Sequence, residues 1–154
     1  MRVMIDTNIF ISAVLFPSGK ASAALMKALA LPYQPVTCDY VIDELHRKFH
    51  EKWPDRIAEL DVFLQVSLSV IDVVKTPETI AENESLIRDE KDRPILRAAI
   101  DAGADLFLTG DKDFLESSVT DPRKLVFLIF LCCNYYMFET RKAAAVNYRS
   151  GLLM

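Results

Sequence analysis

Four stretches of the chain place acids where an acid can do chemistry: "MIDTNIF" (4–10), "VIDEL" (41–45), "RDEKDRPIL" (88–96) and "LFLTGDKDF" (106–114). Asp6 ends a short apolar run, Asp111 follows another, and Asp92 precedes a helix-like segment; the second stretch offers Asp43 and Glu44 side by side. Carboxylates gathered together repel one another, and some take up protons unless a cation compensates them. A hard divalent cation such as Mg²⁺ or Mn²⁺ suits an all-oxygen donor set, bound by a few carboxylates plus waters with positions left for a phosphate. Such a cation acidifies a bound water and offsets charge on a phosphodiester in transition, and a second one assists the leaving oxygen. The neighbours fit this chemistry. Thr7 and Asn8 can hydrogen-bond a carboxylate or a metal-bound water, and Thr109 and Gly110 allow a tight turn with close backbone approach. Lys20, Lys48, Arg93, Arg97 and Lys112 are candidate phosphate contacts.

These acids are far apart in sequence, so the fold must gather them. Val3–Ile5 reads as a strand, followed by a helix over Ala21–Leu29 with Ser18 or Ser22 as its cap. "PVTC" (35–38) reads as a strand, and Asp39 as the cap of a helix to about Lys52, with Val41, Ile42, Leu45, Phe49 and Trp53 at helical spacing. A further helix is expected over Asp55–Leu68, then a strand in "VIDVV" (70–74) and a polar loop (75–91). Asp92 is placed to cap a helix to Ala102, with Pro94 in its first turn and Gly103 as its stop. "ADLFLTG" (104–110) is the next strand, and the apolar run 125–133 offers a last one. Strands alternating with helices predict a three-layer α/β/α sandwich around a central, mostly parallel sheet. Ligands of such sheets bind along the carboxyl edge of the strands, where Asp6, Asp92, Asp111 and an acid of the second helix should meet.

Composition sets bounds. The 154 residues, 51% hydrophobic and 26% charged, suit one globular domain over 1–154. A net charge of −4 argues against holding nucleic acid by bulk electrostatics, so a nucleic-acid substrate would need cations or local Lys/Arg clusters. Cys38, Cys132 and Cys133 make neither a CxxC pair nor an even framework, which suits a reducing compartment. An acid at position 6 interrupts any signal-peptide pattern, and the longest apolar stretch is short of a membrane span, so a cytoplasmic protein without membrane contact is expected.

Taken in order and spacing, the four quoted stretches resemble the PIN domain family, most closely the PIN toxins of prokaryotic toxin–antitoxin pairs, over about residues 1–121. The resemblance selects Glu44 over Asp43, which helical spacing alone does not. It implies a Mg²⁺- or Mn²⁺-dependent endoribonuclease whose metal-holding, catalytic acids are Asp6, Glu44, Asp92 and Asp111, with Asp113 as an accessory metal ligand. Thr7, Asn8 and Thr109 would order the acids. Water would attack phosphorus in line, leaving 5′-phosphate and 3′-hydroxyl ends. It also implies inhibition by a small antitoxin, and homodimers. The segment 122–154 departs from the family: residues 125–138 are nearly all apolar or aromatic, where a short strand and a polar helix would be expected.

Blander readings stand beside these. Asp6 and Asp92 can serve as ordinary capping acids, and Glu44 as a solvated one. His46 and His50 lie four apart on a helix but lack a third metal ligand. Two rival functions follow: a non-catalytic domain that binds RNA or an antitoxin, and aspartyl-phosphate chemistry as in phosphatases or receiver domains. The phosphatase pattern wants a second acid two residues after the first, where this chain has Asn8, and a receiver wants paired acids at Asp6.

Overall fold

The structure, a computed structural model, describes residues 1–82, 84–111 and 114, and the backbone of 124–127. Five strands run β1 (Arg2–Ile5), β2 (Gln34–Cys38), β3 (Asp72–Val74), β4 (Leu106–Thr109) and β5 (Lys124–Phe127). The helices between them are α1 (Thr7–Leu15), α2 (Lys20–Ala28), α3 (Asp39–Lys52), α4 (Ile57–Ser67) and α5 (Arg93–Asp101), with 3-10 turns at Pro54–Arg56 and Glu84–Leu86. All strand pairs are parallel, in the order β3-β2-β1-β4-β5. The expected three-layer α/β/α sandwich is the fold of the chain.

The order has a consequence for function. The chain starts in the middle of the sheet, builds outward through β2 and β3, then returns to the other side of β1 to lay down β4 and β5. The strand order therefore reverses between β1 and β4, and a crevice opens at the carboxyl ends of these two strands. Val3, Met4 and Ile5 of β1 and every residue of β4 are buried, as a strand covered on both faces requires. β3 lies at an edge, with Asp72 and Val73 exposed. Phe10, Phe49, Phe107 and Phe114 fill the core between sheet and helices. Among the described residues no single helix is long and apolar enough to cross a membrane.

Helix α5 ends as its sequence foretells. Gly103 has φ 62°, and the Gly103 N–H to Ile100 and Ala104 N–H to Ala99 bonds close a Schellman motif. Other helix signals were misleading. Residues 7–15, left without an element in the sequence reading, form α1; their β-branched Thr7, Ile9, Ile11 and Val14 weaken the helix signal, and burial of Ile9, Phe10 and Val14 compensates. Gly19, rather than Ser18 or Ser22, stands at the start of α2. Cys38 precedes α3, while Asp39 Oδ1 accepts from the Tyr40 N–H and from both the N–H and the hydroxyl of Thr76 at 2.6–2.9 Å. Asp39 thus ties the segment after β3 to the start of α3. The apolar tail enters the sheet as β5 beside β4, and residues 128–154 lie outside the described residues.

A second tie holds the same segment. Arg97 on α5 donates from Nε and Nη2 to the two oxygens of Glu84 at 2.7 and 3.1 Å, and from Nη1 to the carbonyls of Pro77 and Glu78. Burial alone would raise the Glu84 carboxyl; the Arg97 bonds and the Ala81 N–H overcome it and hold it below the usual carboxylate range. Arg97 is therefore a strut for the loop that leads to Asp92, which corrects its expected role as a phosphate contact. Arg97→Ala leaves Glu84 charged and buried, so denaturant unfolding should show a loss of about 3–5 kcal/mol. Replacing both partners (Glu84→Gln with Arg97→Met) should cost less than the single change. A loss under about 1 kcal/mol for Arg97→Ala would show that the loop does not depend on this pair.

Candidate active site

The switch point between β1 and β4 is where the acids meet. Asp6 leaves β1 with its N–H bonded to the Leu108 carbonyl of β4 at 3.0 Å. Its side chain is 1% exposed, and its Oδ2 accepts from the Thr109 hydroxyl at 2.7 Å. Asp6 stands at the N-cap position of α1 yet makes no side-chain capping bond, because its oxygen turns to Thr109. The same Thr109 oxygen accepts from the Asp111 N–H at 3.0 Å and so shapes the turn after β4. Asn8 reaches across from α1 in a long, 3.5 Å contact from Nδ2 to Asp111 Oδ2.

Glu44 comes from α3. The structure separates it from its neighbour: Glu44 is 3% exposed, while Asp43 faces solvent. Thr7 donates its hydroxyl to Glu44 Oε2 at 2.6 Å, joining the start of α1 to the second turn of α3. Glu44 Oε1 lies 3.1 Å from Lys48 Nζ and 3.5 Å from Arg47 Nη2. Asp92 stands at the head of α5 with a helical backbone (φ −88°, ψ −16°) and no side-chain capping bond. The capping expectation fails here because that backbone does not turn the carboxylate back onto the free N–H groups. No hydrogen bond or ion pair to the Asp92 side chain is found among the described residues.

These side chains sense one another's charge. Burial is the main cause that raises Asp6 from 3.8 to about 6; Glu44 and Asp111 add to it, and the Thr109 hydrogen bond opposes it. Asp92 is raised to about 7, first by burial and then by Asp6, Asp111, Asp89 and Glu44. Acids drawn from β1, α3, the head of α5 and the turn after β4 thus act on one another. Asp89 adds to the repulsion while its Oδ1 accepts from the Lys91 N–H.

The sequence reading missed Tyr40. Its phenol is raised by burial and then by Glu44, and it also senses Asp92. The signal was present: Tyr40 and Glu44 are four apart on α3 and share a face. Among the expected phosphate contacts, Lys48 stands at Glu44, and Arg93 braces the loop through Ile87 O and Glu90. Lys20 opens α2, past the end of α1. Asp113 and Lys112 lie outside the described residues.

Among the described residues, no three His, Cys, Asp or Glu side chains stand together as a ready-made metal site. The donor set nevertheless fits a hard divalent cation. It is all carboxylate oxygen, its acids repel one another, and Mg²⁺ characteristically uses one or two carboxylates and keeps several waters. Asp6, Asp92, Asp111 and Glu44 are the groups able to hold one, directly or through its hydration shell.

Comparison with known proteins agrees with this arrangement. The uncharacterized protein MJ1680 of Methanocaldococcus jannaschii is 28% identical over 127 residues, covering 80% of this chain and 78% of that protein. The fold is similar to that in the crystal structure of VapBC2 from Rickettsia felis bound to a DNA fragment from their promoter, with TM-score 0.59, 18% identity, and coverage of 77% of this chain and 94% of that one. The family model described as "PIN domain" matches residues 2–113, a span that runs from β1 past Asp111 and takes in every acid of the crevice. The chain belongs to the PIN domain family, whose members are generally nucleases.

Proposed function

We propose that this protein is a Mg²⁺- or Mn²⁺-dependent endoribonuclease and the toxin of a toxin–antitoxin pair. The observation that carries the reading is that Asp6, Glu44, Asp92 and Asp111 sense one another near the β1–β4 switch point, where burial first and then the neighbouring acids raise Asp6 and Asp92. A bound divalent cation supplies a more acidic water and positive charge against the scissile phosphate. The chain does the rest. Thr109 fixes Asp6, Thr7 fixes Glu44, and Asn8 reaches Asp111, so the carboxylates are oriented before any ligand arrives. Burial and the neighbouring acids raise Asp92 to about 7, and a bound cation would relieve that stress by favouring its carboxylate form. Tyr40, one turn before Glu44 on α3, is an aromatic side chain of the type that stacks on an unpaired base.

The toxin reading draws support from the likeness to VapBC2, a toxin–antitoxin assembly. A physical feature agrees with it. Leu25, Met26 and Leu29 of the α2 region and Val62, Phe63 and Val66 of α4 line an open apolar groove, with Met26, Val62 and Val66 each more than 60% exposed. A contiguous apolar surface of this kind suits a partner that covers it.

A non-catalytic binding domain is the second reading, favoured by the lack of a preassembled three-ligand group among the described residues. Cleavage separates the two. Asp6→Asn keeps the shape and the Thr109 contact but removes the charge, and should lower Mn²⁺-dependent cleavage of an RNA panel by about 10²-fold or more while the protein still folds. EDTA should abolish wild-type cleavage. Equal cleavage by Asp6→Asn and wild type would refute the assignment.

The raised carboxyls also predict an unusual pH response. Asp6 and Asp92 hold protons more tightly folded than unfolded, so their ionisation opposes folding. That penalty is complete above about pH 7 and fades towards the ordinary value of 3.8. The contribution of these two groups therefore favours the cation-free fold as pH falls from about 7 to about 4. Asp92→Asn removes the charge at the outset. At pH 8 without divalent cations it should be more stable than wild type by about 1–2 kcal/mol, allowing for the solvent that reaches Asp92. The gain should vanish near pH 4. A variant less stable than wild type at pH 8 would show that Asp92 is not under electrostatic stress.

A further inference from the structure

Glu44 has two cationic side chains against it: Lys48 Nζ at 3.1 Å and Arg47 Nη2 at 3.5 Å, both on Oε1, while Thr7 takes Oε2. The two cations are not equivalent. Lys48 follows Glu44 by one helical turn, is 26% exposed and makes the shorter contact; Arg47 is 55% exposed, where water weakens its pull. Asp6, which senses the Glu44 charge, is buried and accepts from neutral donors, the Thr109 hydroxyl among them.

We propose that Lys48 is a resident countercharge of Glu44: its ammonium holds Glu44 Oε1, competes with a divalent cation for that oxygen, and so tunes the affinity of the site. The proposal rests on the cation-dependent reading above and adds a determinant that the four acids do not contain. Its physical basis is direct. An oxygen that carries an ammonium at 3.1 Å is not free to enter the coordination or hydration shell of a metal ion. A unit positive charge within about 5 Å of a divalent ion also repels it. A buried glutamate stripped of its cation is destabilising until another cation replaces it. Lys48 therefore helps offset the charge of a buried Glu44 and lowers the cation affinity below what the acids alone would give.

Mn²⁺ binding to the full chain, measured by calorimetry at pH 8 and low salt, tests this without recourse to activity. Lys48→Met should bind Mn²⁺ about tenfold more tightly than wild type. Without cations the same variant should melt at a lower temperature than wild type, and saturating Mn²⁺ should close that gap. Lys48→Arg should keep the wild-type affinity, and Arg47→Met should change it less than Lys48→Met. If Lys48→Met does not fold, Lys48→Gln replaces it with the same expectation. Equal or weaker Mn²⁺ binding by the neutral variants, with wild type binding normally, overturns the role of Lys48 and leaves the cation-dependent reading standing. A wild-type protein that takes up no Mn²⁺ overturns both.

Discussion

The structure turns on one constraint: a carboxylate is buried at the centre of a parallel sheet. Asp6 is 1% exposed, at the end of the middle strand, with the Thr109 hydroxyl on its oxygen. A charge in that position is costly, and its raised titration records the cost. Local features around it read as responses. β1 and β4 are bonded through the Asp6 N–H and the Leu108 carbonyl, so Thr109 is delivered to Asp6 by strand register and not by a mobile loop. The Thr109 oxygen then fixes the turn that carries Asp111. One threonine orients two acids of the crevice.

The other acids arrive on elements that are themselves fastened. Glu44 is clasped between Thr7 and Lys48, so α1 and α3 meet at the site through a polar contact inside an otherwise apolar contact surface. Asp92 is delivered by the long segment after β3, which Asp39 holds at Thr76 and Arg97 holds at Pro77, Glu78 and Glu84. These ties suit a site whose members repel one another. Repelling groups drift apart unless their scaffolds are fixed, and a scaffold that fixes them leaves charge for a cation to satisfy.

Much of this was legible in the residues. The alternation of apolar runs with helical segments sufficed for the layers and the parallel sheet, because strands covered on both faces are apolar throughout, as in "VMI" and "LFL". The Gly103 stop was legible because only a left-handed turn residue suits that place. What failed depended on contacts between distant segments. Helix α1 was hidden by its β-branched residues, whose burial no local pattern reveals. Asp6, Asp39 and Asp92 all look like helix caps, yet Asp6 turns to Thr109, Asp39 also to Thr76, and Asp92 makes no side-chain capping bond. Glu44 and Asp43 are indistinguishable by spacing and opposite in burial. Arg97 is a plausible phosphate ligand by type, and only the fold shows that Glu84 already holds it.

The central claim is that folding draws Asp6, Glu44, Asp92 and Asp111 into one cation-holding crevice. The most direct measurement is anomalous diffraction from crystals soaked in Mn²⁺, at a wavelength where manganese scatters strongly. The account predicts a peak at the carboxyl ends of β1 and β4, with Asp6 and at least one of Asp92, Asp111 and Glu44 touching the ion or its waters. Well-diffracting, Mn²⁺-soaked crystals with no peak in that crevice, or with manganese bound only elsewhere on the surface, would contradict it.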